Sequence, residues 1–134
     1  MEIKALVTDS SSKVRKNIIR SLKEIGVRDI VEATNGNEAV KLMEKRKVDV
    51  VFAEWNTQIG QGEELVKSLR RTEAKLPVIV TAPQSKQIDE LKKTYPTASN
   101  YLTMPFTTEQ LQATGAEIVL KDLSDTDAFL KLLG

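Results

Sequence analysis

The sequence predicts a three-layer α/β domain built on a five-stranded parallel sheet. Residues 50–53 form a continuous apolar run with β-branched side chains, which is typical of a strand buried on both faces. Four other short apolar segments alternate along the chain with stretches that have helical periodicity, and this alternation favours parallel strands joined by helical crossovers. The length of 134 residues matches one ordinary domain.

Three strands and two helices are predicted in the first half of the chain. The serines at 10–12 offer hydroxyls that can cap a helix, whose apolar positions run from Val14 to Ile25 before Gly26 ends it. The dipeptide at 35–36 is a turn signal before the second helix. The predicted strands are Ile3 to Thr8, Asp29 to Glu32 and the run ending at Glu54; the predicted second helix is Glu38 to Lys45.

The second half continues the alternation. A loop is predicted at 58–62, and the helix at 85–95 has a narrow apolar face of Ile88, Leu91 and Tyr95. The other predicted elements are helix 63–71, strand 76–81, strand 99–103, a helix capped by Thr107 or Thr108 that reaches Ile118, and a short helix at 125–133. We assign 1–121 to the domain and 122–134 to a helical C-terminal extension.

Two carboxylates should meet at one edge of this sheet. Right-handed crossovers leave few topologies, and the simplest is the doubly wound, flavodoxin-like strand order 2-1-3-4-5. Asp9 follows the first strand and Glu54 ends the third, and these strands are neighbours in that order. The carboxyl ends of such strands, at the switch point, are where ligands bind in α/β folds.

Composition excludes several classes of function. The chain has no cysteine and no histidine, which removes thiol chemistry, disulfides and the commonest general base and metal ligand. A net charge of +1 gives no electrostatic case for nucleic acid or an anionic membrane. No apolar run approaches a membrane span and the N-terminus lacks a signal-peptide pattern, so we expect a cytoplasmic protein. Oligomeric state is left open.

Five stretches in order resemble the receiver domains of two-component response regulators, of the CheY-like type. They are LVTDSSSKVRK, ATNGNEAVKLM, VVFAEWN, LPVIVTA and NYLTMPF, and the resemblance covers roughly residues 3 to 121. Receivers accept a phosphoryl group from a histidine kinase on an Asp at the end of the third strand. A pair of acids after the first strand helps to hold Mg²⁺, and a Lys after the fifth strand contacts the phosphoryl oxygens.

The resemblance implies that the acidic site is degenerate. Glu54 stands at the phosphoacceptor position. Asp9 matches the first acid of the pair, but Ser10 stands where the second should be. A shift of the alignment by one residue would put Thr8 at the first position, and one acid is missing in either case. Met104 stands where the family has Lys.

The same resemblance implies that this chain keeps the hydroxyl and the aromatic side chain whose rearrangement alters the contact surface in the family. Thr81 matches the hydroxyl that ends the fourth strand, and Tyr101 matches the aromatic residue on the fifth. Either could instead have an ordinary structural role, Thr81 by bonding a neighbouring backbone group and Tyr101 as an amphipathic strand residue. Pro105 follows Met104 as in the family, where the preceding peptide bond is usually cis.

These departures from the family pattern all weaken the same chemical step, the transfer of a phosphoryl group. The extra methylene of Glu54 displaces the nucleophilic oxygen by roughly 1.5 Å, and a misplacement of about 1 Å can cost around 100-fold in rate. Ser10 removes a charge from the metal site, so we expect Mg²⁺ binding to be weak or absent and assign no cofactor or metal ligands. Met104 cannot neutralise phosphoryl oxygens. We therefore predict no ordinary phosphorylation at Glu54 and no enzyme activity.

The leading functional hypothesis is a pseudo-receiver that signals by protein–protein contact. The resemblance places the contact surface at Ser85 to Tyr95, Tyr101 and Thr107 to Ile118. Two alternatives stay open: Glu54 could imitate a phosphorylated Asp by accepting a bond from Thr81, or the chain could be a divergent but phosphorylatable regulator. A flavodoxin-like cofactor binder is disfavoured. It would need a phosphate-binding loop after the first strand, which the serines at 10–12 could only weakly mimic, and an aromatic content of 4% leaves few rings to sandwich a flavin.

Overall fold

A computed structural model describes residues 3–55, 61–72 and 75–114. Five strands alternate with helices: β1 Lys4–Thr8, α1 Ser12–Glu24, β2 Asp29–Ala33, α2 Gly36–Lys45, β3 Val50–Glu54, α3 Gln61–Thr72, β4 Val78–Pro83, α4 Ile88–Thr94 and β5 Asn100–Met104. A final helix, α5, covers 108–114 of the described chain. All strand pairs are parallel and the sheet order is β2-β1-β3-β4-β5, which confirms the predicted flavodoxin-like, doubly wound fold.

Two apolar clusters cover the two faces of the sheet. Alternate residues of β1 enter opposite clusters, since Ala5 and Val7 pack with Ile18 of α1 whereas Leu6 packs with Ala39 of α2. The first cluster lies under α1 and α5, and the second lies under α2, α3 and α4. Because both faces are covered, β3 is buried along its length as the continuous apolar run predicts.

Two helices begin earlier in the structure than predicted. Asn35 is the N-cap of α2, its side chain accepting from the Glu38 backbone N–H at 2.9 Å, so the predicted turn is the first turn of a helix. Likewise α3 begins at Gln61 and includes Gly62, both of which were predicted to be loop. A glycine costs little there, because first-turn N–H groups have no intrahelical partner to lose.

The helix predicted at 85–95 is shorter than expected, and its buried face differs. Residues 84–86 form a turn in which the Lys86 N–H donates to the Pro83 carbonyl at 3.0 Å, and α4 begins only at Ile88. Ile88 was predicted to face inward, yet 41% of it is exposed. Tyr95 ends the helix and is among the largest fully buried side chains. Tertiary packing therefore selected Leu91 and Tyr95 as the inward side chains and left Ile88 outside.

The start of α5 is fixed by a reciprocal cap. The Gln110 N–H donates to the Thr107 hydroxyl at 3.1 Å, and the Thr107 N–H donates to the Gln110 side chain at 2.8 Å. Thr107 is thus the cap, while the Thr108 hydroxyl bonds Glu24 at the end of α1 at 2.6 Å. The predicted continuation to Ile118, the extension at 122–134 and most of the 58–62 loop lie outside the described residues. None of the described helices combines the length and apolarity that a membrane span requires.

Candidate functional site

The two predicted acids lie side by side at the carboxyl edge of the sheet. Thr8 is the last residue of β1 and is in register with Ala53 of β3, so Asp9 and Glu54 come next on adjacent strands. Asp9 is buried and Glu54 is half-buried. The expectation that topology alone brings these carboxylates together is confirmed.

Ser10 donates hydrogen bonds to both oxygens of the Glu54 carboxylate. Its backbone N–H donates to Oε2 and its hydroxyl donates to Oε1, each at 2.9 Å, so both carboxylate oxygens are engaged by one residue. The Glu54 side chain therefore points toward the loop after β1. The hypothesis that Glu54 accepts from Thr81 does not match this geometry, because the Thr81 hydroxyl donates to the Ala53 carbonyl at 3.4 Å instead. This contact is the backbone role that a strand-ending threonine commonly has.

Asp9 is a buried acid with one unsatisfied oxygen. Oδ1 accepts from the Ser11 N–H at 2.8 Å, whereas Oδ2 is buried and has no hydrogen-bond partner among the described residues. Burial, followed by the nearby Glu54 carboxylate, raises the pKa of Asp9 from 3.8 to about 6, against the lowering effect of the Ser11 hydrogen bond. Two ionised carboxylates have no proton to share, so Oδ2 gains a partner in Glu54 only when Asp9 is protonated.

Arg15 is a site residue that the sequence did not reveal. Its Nη1 donates to the backbone carbonyl of Asp9 at 2.6 Å, and its Nε lies 3.3 Å from Oε1 of Glu32. The guanidinium therefore binds the main chain of the acidic loop and the Glu32 carboxylate, and it makes no hydrogen bond to the carboxylates of Asp9 and Glu54. Its position one turn into α1, facing the sheet edge, is the signal that could have identified it.

A second cation stands over the residue after Glu54. The Lys86 ammonium lies 4.2 Å from the centre of the Trp55 ring and 3.4 Å from a Glu90 carboxylate oxygen. The Trp55 backbone N–H donates to the Thr81 carbonyl at 2.7 Å, while its indole Nε1 is buried without a partner among the described residues. Lys86 lies over Trp55 because residues 84–86 form a turn and α4 begins only at Ile88. Its location therefore depends on a helix start that the apolar periodicity did not predict.

Met104 and Tyr101 lie on β5, beside the site. Met104 ends β5 in register with Pro83, and its peptide bond to Pro105 is cis, as the resemblance implies. Its thioether carries no charge. Tyr101 is half-buried; its hydroxyl donates to the Tyr95 carbonyl at 2.5 Å, and burial raises its pKa. The switch-position aromatic is therefore tied to the C-terminal end of α4.

The acidic oxygens at this edge are those of Asp9 and Glu54. Oδ2 of Asp9 has no hydrogen-bond partner among the described residues, whereas each oxygen of Glu54 accepts one hydrogen bond from Ser10. Within residues 3–55, 61–72 and 75–114, no three acidic, histidine or cysteine side chains gather closely enough to hold a metal ion. Mg²⁺ requires near-octahedral oxygen coordination.

The comparisons with known proteins agree with this fold. The response regulator receiver domain family matches residues 5–115. A chemotaxis protein CheY homolog of Campylobacter jejuni is 32% identical over 113 residues, covering 82% of this chain and 87% of the homolog. Vibrio cholerae CheY4 superposes with a TM-score of 0.77 at 23% identity, covering 88% of this chain and 99% of that protein. NtrX of Brucella abortus gives a TM-score of 0.81 at 19% identity, covering 91% of this chain and 28% of that one. The chain belongs to the response regulator receiver domains of two-component signalling and is CheY-like.

Proposed function

We propose that this receiver is a pseudo-receiver, which signals through protein–protein contact without phosphorylation of an aspartate and without enzyme activity. The observation that carries the proposal is the pair of bonds from Ser10 to Glu54, at 2.9 Å each. A carboxylate must hold an oxygen lone pair in line with the phosphorus atom to attack it. In this chain each Glu54 oxygen accepts a hydrogen bond from Ser10, and these two bonds orient the carboxylate toward the loop after β1.

The charges around Glu54 support the same proposal. Phosphoryl transfer depends on cations that neutralise the transferring group. Met104 supplies none, Arg15 is bonded to the main chain and to Glu32, and Lys86 lies against Trp55 and Glu90. A dianionic group arriving here would face the Asp9 and Glu54 carboxylates. We therefore expect phosphoryl transfer to be slow and Mg²⁺ binding to be weak or absent.

The phosphorylation-mimic hypothesis finds less support. A mimic needs its carboxylate to engage the switch hydroxyl, but Glu54 pairs with Ser10 and Thr81 bonds a backbone carbonyl. Tyr101 is held by the carbonyl of Tyr95, a contact with no link to Glu54. Nothing in these contacts couples the charge of Glu54 to the β5 aromatic.

A partner is proposed to bind the surface formed by α4, β5 and α5, which corresponds to residues 85–95, Tyr101 and 107–118. Ile88 supports this location, because it is the one large apolar side chain that the described residues leave exposed. It lies at the start of α4, next to the polar turn at 84–86. Protein interfaces commonly have an apolar centre within a polar rim, and Ile88 would supply an apolar contact of this kind.

One observation favours the alternative, a divergent but phosphorylatable regulator. Oδ2 of Asp9 is buried and unpartnered beside a second carboxylate, and a bound cation would satisfy it. If a cation drew Glu54 away from Ser10, the acceptor oxygen would be released. The alternative therefore requires the Ser10–Glu54 bonds to open in the presence of Mg²⁺.

Intact-mass spectrometry after incubation with Mg²⁺ and a small-molecule phosphodonor tests the proposal. The natural chain is compared with a variant carrying Ser10→Asp, Glu54→Asp and Met104→Lys, which restores the family pattern. We expect no added phosphoryl group on the natural chain and one on the variant. A phosphoryl group mapped to Glu54 of the natural chain would overturn the pseudo-receiver proposal and establish the alternative.

A further inference from the structure

The dipeptide of Asn35 and Gly36 at the start of α2 has a chemistry that the acidic edge of the sheet does not use. Asn35 is exposed, and among the asparagines of the chain it is the one that a glycine follows. The backbone nitrogen after an asparagine can attack the side-chain amide carbon, and ring closure between them gives a five-membered imide. Glycine favours this closure, because it has no Cβ to obstruct the approach and lets the backbone rotate. The sequence therefore places its most reactive asparagine at a helix cap.

The folded protein holds both polar atoms of the Asn35 side chain. Oδ1 accepts from the Glu38 N–H at 2.9 Å, and Nδ2 donates to the Thr34 hydroxyl oxygen at 3.4 Å. The Glu38 carboxylate reaches back to the same threonine, since its Oε2 accepts from the Thr34 hydroxyl at 2.8 Å and from the Thr34 N–H at 3.3 Å. We call Thr34, Asn35 and Glu38 the α2 cap network. These bonds resemble a capping box, and they restrict rotation of the Asn35 amide.

The backbone of the cap is also turned away from the reactive geometry. Asn35 has a ψ of 171°, which places the Gly36 nitrogen anti to the Asn35 nitrogen and about 60° from eclipsing Cβ. Ring closure requires the Gly36 nitrogen to nearly eclipse Cβ, because both atoms become members of one five-membered ring. That rotation would carry Gly36 out of α2 and break the bond from the Ala39 N–H to the Asn35 carbonyl, at 3.1 Å. The reaction therefore needs the first turn of α2 to open, and helix ends open locally more easily than helix centres.

We propose that Asn35 is a modification site, at which the chain converts its own helix cap to aspartate or isoaspartate when the first turn of α2 opens. The Gly36 nitrogen loses its proton to solvent and bonds to Cγ of Asn35, the bond from Cγ to Nδ2 breaks, and Nδ2 takes up a proton and leaves as ammonia. Water then opens the imide, giving aspartate when the new bond from the Gly36 nitrogen to Cγ breaks and isoaspartate when the original peptide bond breaks. Water is the co-reactant and no oxidant or reductant is needed. The site does not depend on the state of Glu54.

The two products would act differently on α2. Aspartate keeps an oxygen that accepts from the Glu38 N–H, and it adds a negative charge at a helix N-terminus, where such a charge is favourable. Isoaspartate routes the main chain through the former side chain, so the link to Gly36 gains a methylene and the former cap carbonyl becomes part of the peptide bond. The change lies two residues after Ala33, whose carbonyl accepts from the Asp9 N–H at 3.2 Å. Isoaspartate would therefore loosen the connection beside the acidic edge of the sheet.

The test follows conversion of Asn35 in the full chain, folded and in guanidinium chloride. Intact mass rises by about 1 Da per event, because OH replaces NH₂, and chromatography of the peptide containing residue 35 separates aspartate from isoaspartate. We expect the unfolded chain to react at least about tenfold faster than the folded one, because unfolding removes the α2 cap network. Glu38→Ala should speed the folded reaction about fivefold. Its matched control, Glu44→Ala at an exposed position of the same helix, should change it by less than about twofold.

Four results would overturn the proposal. One is a folded chain that reacts as fast as the unfolded chain, or not at all. Another is faster conversion at a different asparagine of the unfolded chain. The third is equal acceleration by Glu38→Ala and Glu44→Ala. The fourth is an unfolded Gly36→Ala chain that reacts at the natural rate, where a slowing of at least about tenfold is expected. If circular dichroism shows that Glu38→Ala is unfolded, Thr34→Val replaces it with the same expected acceleration, because it removes the hydroxyl that bonds both Asn35 and Glu38.

Discussion

Replacing Asp9 by asparagine should stabilise the protein at neutral pH. The charge on Asp9 is buried beside Glu54, and its Oδ2 has no partner among the described residues. Asparagine keeps the acceptor for the Ser11 N–H, and its amide Nδ2 can donate to the Glu54 carboxylate where Oδ2 could only repel it. The substitution therefore removes an uncompensated charge without creating a cavity.

The magnitude follows from the pKa. The pKa of Asp9 is raised from 3.8 to about 6. Between these two pH values the folded state keeps a proton on Asp9 that the unfolded state has lost. The contribution of protonated Asp9 to the free energy of unfolding is fully present below pH 4 and is lost as the pH rises to 6. The loss amounts to at most about 3 kcal/mol, and solvent reaching the sheet edge will reduce it to about 1–2 kcal/mol.

Urea unfolding at pH values from 4 to 8 measures the effect, with the fluorescence of the single Trp55 as the signal. The stability difference between Asp9→Asn and the natural protein should be near zero at pH 4 and reach its plateau above pH 6. Asp89→Asn, at an exposed position in the first turn of α4, is the matched control and should show no such rise. A pH-independent difference, or a destabilised Asp9→Asn protein at pH 8, would refute the reasoning.

Three further substitutions test the contacts around the sheet by the same urea assay. Arg70→Ala should cost about 2 kcal/mol, because its guanidinium donates to the carbonyls of Leu76 and Thr97 at 2.6 and 2.8 Å; an unchanged midpoint would show these bonds to be replaced by water. Tyr101→Phe should cost about 1 kcal/mol through the lost bond to a carbonyl. The difference in ultraviolet absorbance between the natural protein and Tyr101→Phe should show Tyr101 titrating above pH 10, since burial raises its pKa, and titration at or below pH 10 would contradict the packed position. Asn35→Ala should cost about 1 kcal/mol as a lost helix cap, whereas a turn residue would tolerate the change.

Sequence patterns predicted the sheet order and the meeting of the two acids for related reasons. Apolar runs such as 50–53 are local signals, and right-handed crossovers convert a list of strands into very few topologies. Once β1 and β3 are neighbours, the residues after them must share one edge. No long-range side-chain detail enters that inference, which is why Asp9 and Glu54 could be placed together.

The misjudged residue on α4, Ile88, depended on packing between elements. Ile88 and Tyr95 are both compatible with the apolar face of a helix, and only the turn at 84–86 decides where that helix begins. The later start leaves Ile88 exposed and buries Tyr95 beneath the second sheet face. Periodicity registers spacing along the chain, and it cannot register a turn that changes which residues are helical.

The sequence by itself predicted the family and the parallel sheet, and it supplied the residues at the edge of that sheet, Glu54, Ser10 and Met104. Tertiary structure decided what those side chains do. It paired Glu54 with Ser10 and not with Thr81, and it left one oxygen of Asp9 buried without a partner. The reason is geometric: residue identity follows from the chain, whereas a hydrogen-bond partner 44 residues away is chosen by distances of a few ångströms that only the folded sheet edge sets.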